Sequence, residues 1–228
     1  FGEYQGIFQS LNIVKPSTGD WPFYYGGARV CDVGRLNGGA SFRPPAGGIS
    51  TSYDQALMSI IGEGVERYCA SFPQTLQLLN ASAAELTGRR LFKPEQLTCF
   101  SDAQHASPHF PFARPTPTDP MVWTQAQDLY STDTVLVPAN RVYIPYYGLG
   151  LDQIPGNSTG LACGANSAMS TQNALCEALE RDAYSLCWLF AGTPPKINLK
   201  SSVDIEEIVP CIDHPDWQVD CYDLTGIE

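Results

Sequence analysis

The chain has 228 residues, 43% hydrophobic and 16% charged, with no apolar run near the roughly 20 residues of a membrane span; a disulfide-only miniprotein, a disordered polymer and a transmembrane helix are excluded. Thirteen Lys plus Arg against 24 Asp plus Glu leave a net charge of −11, which repels phosphate backbones and anionic lipid. Neither a nucleic acid nor a membrane is therefore expected as a partner.

Residues 1–48 are aromatic and glycine-rich, with one predicted strand at Tyr24 to Val33 and turn clusters at Asn37-Gly38-Gly39 and Pro44-Pro45-Ala46-Gly47-Gly48. From Ser52 to about Ser71, Ala56, Leu57, Ile60, Ile61, Gly64, Val65 and Tyr68 recur at helical spacing and predict a long half-buried helix. A shorter helix is expected at Ala81 to Leu91, then an extended loop at His105 to Pro120. Met121 to Asp128, Thr134 to Pro138 and Arg141 to Tyr146 read as strands, the last two joined by Ala139-Asn140. A glycine-rich passage, Gly148 to Gly164, leads into a second long helix at Ser167 to Phe190, whose apolar side carries Leu175, Leu179, Ala183, Leu186 and Phe190. A short helix at Asp204 to Val209 and a strand at Gln218 to Leu224 follow. The chain opens on Phe1 without a targeting segment and stops straight after a strand with no partner; both ends read as cut.

The eight Cys show no Cys-x-x-Cys pair, so zinc clasps and redox dithiols lose their usual signature. An even count and sequons at Asn80 and Asn157 are compatible with a secreted, disulfide-linked binding protein, but this cysteine content is ordinary for a cytosolic enzyme, and the cytoplasm is the expected compartment.

The two long helices share a pattern. Glu63, Glu66 and Arg67 each recur 114 residues later, as Glu177, Glu180 and Arg181. Ser59, Glu63 and Glu66 lie at i, i+4 and i+7, within about 60° of one another on one helical face. If the two faces oppose each other, four carboxylates meet, and two carboxylates about 5 Å apart repel by roughly 3 kcal/mol at an effective dielectric near 20. Magnesium relieves that repulsion best, because it takes hard oxygen donors and is commonly shared between carboxylates and nucleotide phosphates. Arg67 and Arg181 suit phosphate oxygens or the carboxylates themselves. On a single helix Glu-x-x-Glu-Arg is the composition of a solvated face with i to i+4 pairing. Its repetition beside apolar residues is not explained by surface pairing, and it points to a site.

Competing signals are weaker. Gly156-Asn-Ser158-Thr-Gly160 has the letters of a nucleophile elbow but lacks a hydrophobic strand directly before it, and a triad would have to recruit His214 and an Asp such as Asp204. A turn is its better role. His105, His109 and His214 have no metal-ligand spacing, and the first two fall in the proline-rich loop, where solvent exposure is expected. No Walker or dinucleotide-binding glycine motif is present, so a nucleotide site needs another construction.

Two long segments then resemble the YcaO-domain family, in particular the azoline-forming cyclodehydratases that modify ribosomally made peptides. Gly47-Gly48 through Ser59, Glu63, Glu66 and Arg67 to Cys69 is similar to the family's Ser-x-x-x-Glu-x-x-Glu-Arg helix behind a glycine-rich turn. Ser158 to Asn166, leading to Glu177, Glu180, Arg181 and Asp182, is similar to its Glu-x-x-Glu-Arg-Asp segment. The resemblance implies an α+β fold, one YcaO-like domain over residues 1–228 that is incomplete at the C-terminus, in which a β-sheet packs with long helices that carry a nucleotide site. ATP and Mg2+ would be the cofactors, with Glu63, Glu66, Glu177 and Glu180 as metal ligands and Ser59, Arg67, Asn166 and Arg181 completing the nucleotide site. The polar residue before the second motif is either Asn166 or Asn173.

The implied reaction is cyclodehydration. A substrate Cys, Ser or Thr side chain adds to the preceding backbone carbonyl, the resulting oxyanion takes phosphate from ATP, and loss of phosphate closes a thiazoline or oxazoline. Positioning and charge neutralisation would be the protein's contribution, with no covalent nucleophile. The resemblance further implies a precursor peptide substrate, a separate leader-peptide-binding partner protein and a possible homodimer. Thioamide or amidine formation and a non-catalytic nucleotide-binding scaffold are the rival readings. The turn also departs from the family pattern: many members carry a Lys there, which Ala46-Gly47-Gly48 lacks, and Arg43 is the nearest substitute.

Overall fold

The fold is described from a computed structural model that covers residue 2 and residues 6–73, 78–93, 96, 100–148, 156–190, 192–198 and 218–226. It divides into two compact units, the first formed by Phe1–Arg29, Pro45–Val65 and Ala162–Glu228, the second by Val30–Pro44 and Glu66–Leu161.

The first unit contains an antiparallel sheet of β1 (Phe8–Val14), β2 (Tyr24–Val30, whose last residue passes to the second unit) and β3 (Pro45–Ser50), in that order. β2 and β3 pair from Tyr24↔Ser50 to Arg29↔Pro45, which sets Gly26 opposite Gly48 and Gly27 opposite Gly47. The glycine-rich stretch expected to be a turn is thus a strand. Without side chains it lacks the alternation that marks strands, and its glycines serve packing instead. A Cβ at Gly48 would stand 2.7 Å from the Ala56 carbonyl oxygen and 2.8 Å from Ile60 Cγ1, so the helix lies directly on β3. That helix, α2 (Tyr53–Ala70), buries Ala56, Ile60 and Gly64, as its periodicity predicts, and Phe8 fills the space beside Gly64.

The second long helix, α4 (Ser167–Leu189), forms where expected and is capped by Asn166, whose side chain accepts the Met169 amide at 2.9 Å. None of its described side chains is buried, and Leu175, Leu179 and Phe190 are 51%, 62% and 78% exposed. Its apolar stripe therefore does not mark a buried face within the described residues. Near the C-terminus the expected strand at Gln218 to Leu224 reduces to a single bridge, Lys196↔Tyr222, tied by an ion pair between Lys196 and Asp220. The helix expected at Asp204 to Val209 lies outside the described residues.

The second unit is built on another antiparallel sheet, β4 (Leu79–Ser82), β5 (Pro120–Gln127) and β6 (Thr134–Pro138). Met121, Trp123, Leu136 and Leu86 form its core, and the Trp123 indole donates to the Ala81 carbonyl at 2.9 Å. Two expectations fail here. Residues 81–91 are not one helix: sheet pairing takes Leu79–Ser82, a 3-10 turn covers Ala83–Leu86, and Gly88 at φ +82° ends it. Arg141 to Tyr146 is not a strand, because Val142 and Tyr143 both donate back to the Ala139 carbonyl and coil the chain into a 3-10 turn over Ala139–Arg141. The short helix α1 (Val33–Leu36) ends the strand expected to reach Val33, and α3 (Asp102–His105) opens the proline-rich loop. His105 is half-buried against Phe100, Phe110 and Phe112 instead of exposed, whereas His109 is exposed. Among the described residues no helix is long and apolar enough to cross a membrane.

Candidate functional site

In the first unit Glu63 of the first acidic motif and the lead-in to the second are joined by a short run of contacts. Glu63, one turn beyond exposed Ser59 on α2, is half-buried, and its Oε2 accepts the Gly47 amide at 2.7 Å. Gly47 faces away from β2 in the hydrogen-bonding ladder, so this carboxylate satisfies an amide at the sheet edge. At the preceding position, Gly62, a Cβ would stand 3.8 Å from the Cys163 side chain. The Cys163 carbonyl in turn accepts the Asn173 side-chain amide at 3.0 Å, and Asn173 precedes Glu177 by one helical turn. A Cβ at Gly164 would lie 2.4 Å from the Ser170 amide, so the entry to α4 is closely folded onto its first turn. Glycine is needed there for contact, as at Gly48.

The remaining predicted residues fall as follows. Glu177 is half-buried and pairs with Arg181 at 2.8 Å across one turn. Glu180 is exposed on the same helix. Glu66 and Arg67 belong to the part of α2 assigned to the second unit, where they are half-buried and lie 3.8 Å apart. Asn166 uses its side-chain oxygen as the cap of α4. Among the described residues no three His, Cys, Asp or Glu side chains gather closely enough to hold a metal ion. Within the first unit the structure thus brings Glu63 to the glycine strand and Glu177 to Arg181. The donor chemistry suits magnesium: hard carboxylate oxygens on two helices, one of them, from Glu63, against a strand that is bare of side chains at Gly47 and Gly48.

Two contacts had no direct sequence signal. The Gly47 amide as a partner of Glu63 is foreshadowed only by the matched Gly-Gly pairs at residues 26–27 and 47–48. Arg43, the nearest substitute for a turn lysine, is committed within the second unit to Asp32 at 3.6 Å. Asp32 also accepts from Ser41 Oγ at 2.6 Å and from the Arg35 and Phe42 amides, and the Ser41 hydroxyl above all holds its carboxyl below the usual range. Ser158 stands in a turn closed by Leu161 N–H on its carbonyl, as expected of that motif; His214 and Asp204 lie outside the described residues.

Comparison with known proteins converges on these segments. Over most of its length the chain is similar to three solved structures: YcaO from Methanopyrus kandleri bound with AMPPCP and Mg2+ (TM-score 0.61, 21% identity, 88% of this chain and 44% of that one), a heterocyclase in complex with substrate and cofactor (0.80, 21%, 99% and 32%), and the E. coli microcin synthetase McbBCD complex (0.52, 13%, 82% and 43%). The chain therefore spans less than half the length of these chains. No curated protein matches. The profile of the YcaO cyclodehydratases, described as ATP- and Mg2+-binding, matches residues 47–227, a span that opens on the glycine strand and includes both Glu-x-x-Glu-Arg helices. By that match the chain belongs to the YcaO cyclodehydratase family.

Proposed function

We propose that this chain provides the nucleotide site of an ATP-dependent enzyme that activates peptide backbone amides for cyclodehydration of Cys, Ser or Thr to thiazoline or oxazoline. The observation that carries the reading is the connection Gly47–Glu63–Gly62–Cys163–Asn173, which joins the glycine strand to both acidic helices within one compact unit. Glu63, Glu66, Glu177 and Glu180 are the carboxylates assigned to magnesium, and Ser59, Arg67, Asn166 and Arg181 the groups assigned to the nucleotide. Bound Mg-ATP would supply the phosphoryl group that turns a peptide carbonyl oxygen into a leaving group. The chain's own residues bind and orient: Gly47 N–H holds one oxygen of Glu63, and Arg181 pairs with one oxygen of Glu177. The proposal treats residues 1–228 as one YcaO-like domain, supported by the 99% coverage of this chain in the heterocyclase comparison.

A precursor peptide is the proposed substrate, recognised with the help of a separate leader-binding protein in a cytoplasmic setting, and a homodimer is the proposed assembly. The microcin synthetase neighbour, itself a complex, supports the partner protein. A second reading is a nucleotide-binding scaffold without turnover, favoured by the absence of a lysine from the glycine strand and by the engagement of Arg43 with Asp32. Phosphate release by the complete gene product, measured with and without a Cys-containing precursor peptide, separates the two. Peptide-dependent release with loss of one water per ring formed supports the enzyme; ATP binding without either supports the scaffold.

A further inference from the structure

A groove in the second unit has the wrong charge for this protein. It encloses about 550 Å3 between the 3-10 turn Ala83–Leu86 and the segment Gly88–Lys93, with Pro117 on its rim. Its floor is firm, because Leu86 belongs to the core with Met121, Trp123 and Leu136, and Leu91 packs against that core. Its walls are also fixed: the Ala84 amide donates to the Pro117 carbonyl at 2.8 Å, and residues 90–92 run beside β6 through Leu136 N–H to Arg90 O (2.9 Å) and Phe92 N–H to Leu136 O (2.8 Å).

Strand geometry then sorts the side chains. In an extended segment alternate residues share a face. Arg90 turns one way, to Asp128, Asp133 and Ser131. Arg89, Leu91 and Lys93 turn the other way and line the groove. Among the described residues neither Arg89 nor Lys93 has an ion-pair partner, although the chain carries a net charge of −11. The groove therefore presents two cations, Arg89 at the end of the turn and Lys93 in the following segment, on either side of Leu91. Leu91 adds a further feature. Its neighbours' amide and carbonyl bond β6, so its own N–H and C=O point away from the sheet, and among the described residues they bond to nothing.

We propose that this groove binds an extended acidic peptide segment, with two carboxylate side chains on Arg89 and Lys93, an apolar side chain between them over Leu86 and Leu91, and backbone pairing to Leu91. The inference is independent of the nucleotide reading, because the groove shares no residue with that site and its test uses no nucleotide.

The test is fluorescence anisotropy of the 228-residue chain with a fluorescein-labelled peptide, Gly-Asp-Ser-Leu-Ser-Glu-Gly. Saturable binding is expected, weaker by about ten-fold when the peptide acids become Asn and Gln, or when the protein carries Arg89→Glu or Lys93→Glu. Lys15→Glu, an equal charge change on an exposed lysine of the other unit, is expected to change affinity much less. A peptide with Lys in place of both acids is expected to bind the Arg89→Glu/Lys93→Glu variant better than the parent. Absence of saturable binding, or equal affinity in the parent and both groove variants, overturns the proposal. Displacement by inorganic phosphate with no preference between the acidic and amide peptides also overturns it, in favour of a small-anion site.

Discussion

Two adjacent glycines of β3 should behave in opposite ways. A methyl at Gly48 would stand 2.7 Å from the Ala56 carbonyl oxygen, 2.8 Å from Ile60 Cγ1 and 2.9 Å from the Ile60 amide nitrogen. Attractive packing begins at about 3.5 Å, and two of these three neighbours are helix backbone, so β3 and α2 would have to part by roughly 1 Å. Overpacking of this kind destabilises by about 1–3 kcal/mol, which for a chain of this size lowers the melting temperature by about 2–12 °C. A methyl at Gly47 would meet only the Gly26 carbonyl at 3.7 Å and Glu63 Oε2 at 3.9 Å, which is ordinary contact. Gly47→Ala should stay within about 0.5 kcal/mol of the parent, since the methyl also restricts the unfolded chain. It also keeps the amide that Glu63 accepts, whereas Gly47→Pro removes it. Urea and thermal unfolding of both alanine variants read the difference. A Gly48→Ala protein that melts with the parent, or a Gly47→Ala protein that melts below it, would refute the reasoning.

Other outcomes follow from the same contacts. Ser71 is fully buried, and its hydroxyl lies 2.7 Å from the Arg67 carbonyl and 2.8 Å from that of Ile144; Ser71→Ala should lose about 1–2 kcal/mol in urea unfolding. Trp123→Phe removes both volume and the indole bond to Ala81 and should lose about 2–3 kcal/mol in the same assay. Asp32 is held below its unfolded value of about 3.9, so its tie to Ser41 and to the Arg35 and Phe42 amides is present above that pH and is lost as pH falls through the lower folded value. Proteolysis between residues 30 and 44 should therefore accelerate below about pH 4 in the parent, while Asp32→Asn should show the fast rate at neutral pH as well. Six cysteines are described and all are free; thiol titration of the denatured, unreduced chain should return all eight, and a lower count would favour the disulfide-linked reading.

Legibility of the fold followed how far a segment's sequence reflects its own backbone. α2 and α4 are readable because long periodic helices leave a repeated imprint, and the duplicated Glu-x-x-Glu-Arg pattern lies within the span matched by the family profile. β3 was hidden because Pro45–Ser50 is half glycine or proline; the contact surface there is the absence of side chains, which no periodicity records. Residues 81–91 read as a helix, yet pairing of Leu79–Ser82 with β5 buries Trp123 and Met121, and tertiary burial outweighs local propensity. Val142 to Tyr146 has the composition of a strand, but two amides directed at the Ala139 carbonyl take the backbone elsewhere. The contact partners of the candidate site residues Glu63 and Asn173 were not legible. The bonds Glu63 to Gly47 and Asn173 to Cys163 join residues 16 and 10 positions apart across a turn, and only the fold decides them.

The central claim, that the paired Glu-x-x-Glu-Arg helices bind Mg-ATP, is tested most directly by calorimetric titration of ATP with and without magnesium into the complete gene product and into its Glu63→Gln and Glu180→Gln variants. Magnesium-dependent binding that weakens by about ten-fold or more in each variant is the predicted result, because each would lose one proposed charged metal ligand. Affinity unchanged in both variants, or indifferent to magnesium, would contradict the account.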